Sequence, residues 1–356
     1  MKVLIVAFHP RTMTPYSKQY EEAALACNNQ YDIIFWDRFS NGPLEKIKNE
    51  YWIHKVCTLG GSKLKKIPAM LYFRRTVKHI IQMGGYDRIV ILNTLPGVLL
   101  SDVLLNDYSG RYVLDIRDYT YEKHDIYRKR VNRLIDNSFL STISSEGFYS
   151  FVDHNPKIFL NHNISNIDQR VYATKNLRNC SSLNIGFVGA VRYEKENEAL
   201  IDAFANNPGY EIYYYGRFNE GCSLDRYCSD KGISNVKFFG PFDNSQKPEI
   251  YSHIDIINSL YGNQTLDVSY AIPNRFYDAA LFQKPLIVSD GTYLTQMVER
   301  YQLGVVIHDV KNIYSDVTSY CKNFNVQAFS SNCIVLLEEV SRDISNLNNK
   351  LINFMQ

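Results

Sequence analysis

Short apolar runs alternate with amphipathic stretches along most of the chain. In the first half the runs fall at residues 3–8 (VLIVAF), 31–36 (YDIIFW), 88–93 (RIVILN), 111–116 (RYVLDI), 138–143 (SFLSTI) and 157–160 (KIFL). They are continuous rather than alternating, and rich in β-branched and aromatic residues, which is the pattern of strands covered on both faces of a parallel sheet. The stretches between them supply the crossover helices, so the spacing predicts a Rossmann-like domain. A polar segment over 166–182, with little hydrophobic periodicity, reads as a linker. The alternation then restarts at 183–189 (LNIGFVG), 210–216 (YEIYYYG), 235–240 (NVKFFG), 254–259 (IDIINS), 285–289 (PLIVS) and 303–307 (LGVVI). A long helical pattern closes the chain. The expected organisation is α/β: a domain over 1–165, the linker 166–182, a second domain over 183–330, and a helix over 331–356 bracing the two.

Composition narrows the class. The chain has 356 residues, 45% hydrophobic and 21% charged, as in soluble globular proteins. No apolar run approaches the ~20 residues of a membrane span, and Met1 and Lys2 lead straight into the first strand, so a cytosolic, unprocessed protein is expected. Seven scattered cysteines suit reduced thiols better than a disulfide framework, and none has zinc-ligand spacing. The net charge of +2 is unevenly spread: residues 1–165 hold 22 Lys and Arg against 16 Asp and Glu, a balance of +6. Nucleic acid is not an expected partner, because the pI near 8.0 is mild and no binding motif is present. Residues 63–79 (KLKKIPAMLYFRRTVKH) interleave six cations with apolar side chains. That mixture fits a peripheral membrane contact, and it also fits a surface helix packed on its own domain.

Candidate chemistry centres on residues 270–289, YAIPNRFYDAALFQKPLIVS. Pro273 and Asn274 open a helix whose first N–H groups point outward, and such an end attracts phosphate. Asp278 lies one turn further along the same face, ~6 Å along the axis, about the offset from a diphosphate to its ribose hydroxyls. Strands of the second half end in Gly189, Gly216 and Gly240, where ligands bind in open α/β sheets. The chain lacks the GxGxxG dinucleotide fingerprint, a Walker A loop and an HExxH helix, which disfavours dehydrogenases, P-loop enzymes and zinc peptidases.

With both halves considered, the chain resembles the bacterial GT-B glycosyltransferases, most closely the retaining family 4 enzymes of capsule, O-antigen and exopolysaccharide synthesis. The resemblance lies in FVGAVRYEKENEALIDAF (187–204), NVKFFGPFDNSQKPEIYSHIDIINSL (235–260), the PNR…D…KPLIVS stretch, LDIRDY (114–119), TISSEGF (142–148) and NHNIS (161–165). It implies two Rossmann-like domains facing across a cleft, a nucleotide diphosphate sugar as donor, a glycan or lipid-linked acceptor, and neither a metal nor another cofactor. Arg192 and Lys195 would neutralise the donor diphosphate, where cations stabilise the charge growing on the leaving phosphate; the competing reading is a solvated Glu194–Lys195 pair. Asn274 and Arg275 would meet the distal phosphate and Asp278 the ribose. Gly216, Arg217, Gly240, Pro241 and Phe242 would line the nucleobase. On the acceptor side the resemblance points to Asp118, with Glu146 and Gly147 of similar standing, and His9 follows the first strand, where a neutral imidazole can take a hydroxyl proton. The family's first acid is absent, Tyr270 standing in its place, and Asp267 is the nearest substitute. A sugar-nucleotide epimerase of the same fold and a non-catalytic scaffold are the rival functions.

Overall fold

The apolar runs form strands, and the computed structural model, which describes residues 1–57, 63–164, 172–178, 180, 182–219 and 221–356 (side chains at 63, 64 and 267 excepted), arranges them in two sheets. The first unit comprises Met1–His162 with Arg342–Gln356. Its strands are β1 (Lys2–Val6), β2 (Gln30–Asp37), β3 (Glu45–Ile47), β4 (Glu50–His54), β5 (Arg88–Leu92), β6 (Tyr112–Ile116), β7 (Leu140–Ile143) and β8 (Ile158–Leu160), in the order β3-β4-β2-β1-β5-β6-β7-β8. All neighbouring pairs are parallel except β3 with β4. These two strands have no counterpart among the apolar runs. β3 is fully exposed, and a turn at Lys48, whose φ of 54° is left-handed, sends the chain back as β4 along β2.

The sheet packs on a core of Val3, Ile5, Ile33, Phe35, Val90 and Val113, closed by Leu347, Leu351, Phe354 and Met355 near the chain's end. The C-terminal helix runs from Val326 to Met355, starting earlier than 331, and its last turns belong to the first unit. Burial of each such Leu, Phe or Met contributes about 1.5–3 kcal/mol, and Asn29 Nδ2 donates to the Met355 carbonyl at 2.5 Å.

The second unit is Asn163–Ser341. Its strands β9 (Leu183–Val188), β10 (Tyr210–Tyr215), β11 (Val236–Gly240), β12 (Ile256–Ser259), β13 (Leu286–Ser289) and β14 (Gly304–Ile307) are parallel, in the order β11-β10-β9-β12-β13-β14. The chain winds outward in both directions from β9, so the reversal of winding falls between β9 and β12, where open sheets of this kind bind ligands. Of the predicted linker, residues 166–171, 179 and 181 lie outside the described residues. Its described part is fastened to the second unit: Thr174 Oγ1 donates to Gln283 Oε1 at 2.5 Å and Lys175 pairs with Asp255 at 2.9 Å.

Candidate functional site

Three loops at the carboxyl ends of β9, β10 and β11 are laced by their backbones. Gly189 N–H donates to Tyr215 O at 2.8 Å, Gly216 N–H to Gly240 O at 2.8 Å, and Val191 N–H to Arg217 O at 3.0 Å. Gly216 has a φ of +147°, and a Cβ there would lie 1.8 Å from the Gly189 carbonyl oxygen, so no other residue fits the close approach. Arg217 and Pro241 are exposed and Phe242 is half-buried beside them.

Arg192 and Lys195 are exposed after β9, and neither makes an ion pair or side-chain hydrogen bond among the described residues. The Glu194–Lys195 pair does not form; Glu194 Oε1 instead accepts from the Ser223 N–H at 2.7 Å. Tyr193 adopts φ 60°, ψ 60°, a left-handed conformation costly for a bulky residue. Buried Asn197 holds this turn. Its Nδ2 donates to the carbonyls of Arg192 and Tyr193 at 2.7 and 2.9 Å, and its Oδ1 accepts from Tyr214 Oη at 3.0 Å and Asn258 Nδ2 at 2.9 Å. A satisfied buried network of this kind fixes the loop's shape before any ligand arrives.

The helix Asn274–Leu281 begins as the sequence predicts, with Pro273 at its N-cap, Asn274 exposed, and no side chain capping its first turn. Arg275, expected to meet phosphate, lies instead beneath the surface, 5% exposed. Its guanidinium sits 3.6 Å from the centroid of the Phe187 ring, donates to Asn258 O at 2.8 Å and contacts the Tyr261 hydroxyl. No carboxylate pairs with it among the described residues. Burial, with Arg192 as a weaker like-charge contributor, lowers its pKa to about 10 against the opposing pull of Tyr251 and Asp278, so it stays charged at neutral pH.

Asp278 occupies the predicted place one turn along, but its carboxylate is already engaged. Lys247 Nζ lies 3.0 Å from Oδ1 and 2.9 Å from Oδ2, and Tyr251 Oη donates to Oδ2 at 2.9 Å. Neither Lys247 nor Tyr251 was legible as a site residue. The side chain of Asp267 lies outside the described residues.

In the first unit His9 follows β1 and Asp118 follows β6, both beyond the carboxyl ends of parallel strands. Burial, helped by the nearby Arg38 charge, depresses the His9 pKa to about 4, so the ring is neutral at physiological pH; its Nδ1 is buried with no partner among the described residues. Asp118 is exposed, whereas Asp115 and Arg117 form a buried ion pair at 3.0 Å. Glu146 and Gly147 begin a 3-10 turn capped by Ser145. The structure therefore gathers Gly189, Arg192, Lys195, Gly216, Arg217, Pro241, Phe242, Pro273, Asn274, Arg275 and Asp278 at one end of the second sheet, and His9 and Asp118 at one end of the first. Asn197, Asn258 and Tyr261, which hold the second-sheet residues in place, carry no sequence signal, because each acts only through tertiary partners.

No protein-family model matches the chain, and no curated protein matches it. Solved structures do. Sucrose-phosphate synthase from Thermosynechococcus elongatus superposes with a TM-score of 0.72 at 13% identity, covering 99% of each chain. The apo lipopolysaccharide outer core galactosyltransferase WaaB gives 0.65 at 12% identity, again over 99% of each chain. HepE of Anabaena, solved in complex with UDP and glucose, gives 0.61 at 14% identity, over 97% of this chain and 100% of that one. At these identities the likeness speaks for the fold, and that fold, two parallel-sheet Rossmann-like domains in one chain, is GT-B.

Proposed function

We propose that this protein is a glycosyltransferase that moves a sugar from a nucleotide diphosphate donor to a glycan or lipid-linked acceptor, with retention at the anomeric carbon and without a metal, in the synthesis of a bacterial surface polysaccharide. One observation carries the reading: cations without anions. Among the described residues Arg192 and Lys195 have no anionic partner where the sheet's winding reverses, and Arg275 is buried there without a carboxylate partner. A buried charge lacking a partner is expensive, and an incoming diphosphate offsets that cost. In the reaction the bond from the anomeric carbon to the donor phosphate oxygen breaks, and the fixed cations stabilise the charge that grows on the leaving diphosphate. The acceptor hydroxyl forms the new bond and gives up its proton; neutral His9 and exposed Asp118 are the acceptor-side groups of this reading. The GT-B fold, seen with UDP and glucose in HepE, supports the donor class.

The test is a thermal-shift screen against UDP-, GDP- and ADP-sugars. A ligand present at 100 times its Kd stabilises by about 2.7 kcal/mol. Arg192→Ala, a surface substitution, is expected to leave the free protein's melting temperature unchanged and to abolish most of that shift. No shift with any donor, or an undiminished shift in the variant, overturns the reading. Turnover of the donor without an acceptor marks the epimerase instead.

A cytoplasmic location at the inner membrane face belongs to the same proposal. Among the described residues no helix is long and apolar enough to cross a membrane. The helix Lys63–Gly84 carries six Lys and Arg and no carboxylate. Arg74 and Lys78 both bond Asp102 at 2.7 Å, which fastens the helix to its own domain, while Lys65, Ile67, Leu71 and Arg75 are exposed. Lys63 has no described side chain. The protein is expected to sediment with vesicles of phosphatidylglycerol and not with phosphatidylcholine vesicles, and Lys65→Glu with Arg75→Glu is expected to release it. Equal binding to both vesicles, or to neither, counts against the contact.

A further inference from the structure

We infer that Lys247 is a ribose-reading residue, and that the Lys247–Asp278 pair, not a lone carboxylate, grips the vicinal diol of the donor nucleotide. This rests on the reading of the second unit as a nucleotide diphosphate site. A free carboxylate takes a vicinal diol by accepting a hydrogen bond from each hydroxyl. Asp278 cannot do so freely, because it already accepts from Lys247 at both oxygens and from Tyr251 at Oδ2. A carboxylate offers about four acceptor positions; three are used. An ammonium offers three donors; two are used, and the third meets no acceptor among the described residues. One donor and one acceptor therefore remain side by side.

That pair complements a diol in which one hydroxyl donates and its neighbour accepts. The lysine is the outward member: its side chain is 18% exposed against 8% for Asp278. It is also held in place. Asp243 and Gln246 form a capping box at the preceding turn, and Pro248 follows at the start of the helix Lys247–Ser252. The loop that delivers it runs from Gly240 through Pro241 and Phe242, and the pair lies one helical turn from the uncapped start at Asn274. A buried ion pair adds little stability over packed apolar residues, so recognition of a ligand is the better account of this one.

The experiment is a cycle between protein and ligand. Binding of UDP, GDP and ADP is measured by calorimetry, and the diphosphate that binds is compared with its 2′-deoxy and 3′-deoxy analogues in the native protein and in Lys247→Met. In the native protein, loss of a hydroxyl is expected to weaken binding about tenfold or more, as for a hydrogen bond to a charged group. In Lys247→Met the penalty for one of the two hydroxyls is expected to shrink to about twofold or less. Should that variant fail to fold because Asp278 is stranded, Lys247→Met with Asp278→Asn removes both charges, and both penalties are then expected to vanish. Both deoxy penalties undiminished in Lys247→Met, either one persisting in the double variant, or both absent from the native protein while its diphosphate binds, overturn the role of Lys247. Failure of every diphosphate to bind the native protein overturns the donor site itself.

Discussion

Arg117→Met is expected to lower the stability of the first unit by about 3–5 kcal/mol, the cost of leaving a buried charge without its partner. Asp115 is fully buried in β6, the third strand from the β8 edge, with neighbours β5 and β7 on its two sides. Its carboxylate accepts from Arg117 Nε at 3.0 Å and from Thr142 Oγ1 at 2.6 Å. Without the guanidinium the carboxylate keeps only neutral hydroxyl partners among the described residues, Thr142 and Tyr20, and a central strand cannot turn it out to water. Arg117 also donates to Asn161 O at 3.2 Å and covers the Tyr16 ring at 4.8 Å, contacts that methionine replaces only by packing. The chain's two tryptophans, Trp36 and Trp52, lie in β2 and β4, so tryptophan fluorescence, excited selectively over tyrosine, reports on the first unit during urea unfolding. The midpoint is expected to fall with its slope unchanged. Arg117→Met with Asp115→Leu is expected to recover most of the loss, since it strands no charge; a double variant no better than the single would mean that packing, not the ion pair, carries the effect.

What the sequence showed and hid follows from how each residue acts. Twelve strands were legible because each is an apolar run, most of them buried between two layers and the edge strands β8 and β11 partly so, and burial of that kind leaves a mark in composition. β3 and β4 left none: Glu45, Lys46 and Ile47 all face water. Gly216 was found because a strand-end glycine answers a local backbone demand, whereas Asn197 and Asn258 answer to each other across 61 positions of sequence. The start at Pro273 and Asn274 was legible from proline's fixed φ, but the burial of Arg275 was not, because an arginine after an exposed turn reads as solvated. Helical spacing placed Asp278 one turn beyond Asn274, where the helix has it; its engagement by Lys247, 31 residues earlier, is a tertiary fact.

Arg275→Met is expected to separate stability from binding. In the free protein the guanidinium is a desolvated cation whose compensation is incomplete: a ring face at 3.6 Å, the Asn258 carbonyl, the Tyr261 hydroxyl, and a neighbouring Asp278 already neutralised by Lys247. Exchange of such a charge for an apolar side chain of similar length is often neutral or stabilising, by up to about 4 kcal/mol. The melting temperature without ligand is therefore expected to hold or rise. Binding of the donor diphosphate should respond in the opposite sense. Only 5% of the residue is exposed, so Arg275 acts less by touching phosphate than by the potential of a charge in a poorly screened setting, reinforced by Arg192 close enough to repel it. A charge-assisted contribution of this size corresponds to about a 10–100-fold loss of affinity for UDP or whichever diphosphate binds. The two quantities are read from one calorimetric series with and without the nucleotide. If the variant melts lower and binds as well as the native protein, Arg275 is a strut for Asn258 and Tyr261. If it melts as high or higher and binds weakly, the positive charge is held at a cost to the free protein for the sake of its anionic ligand.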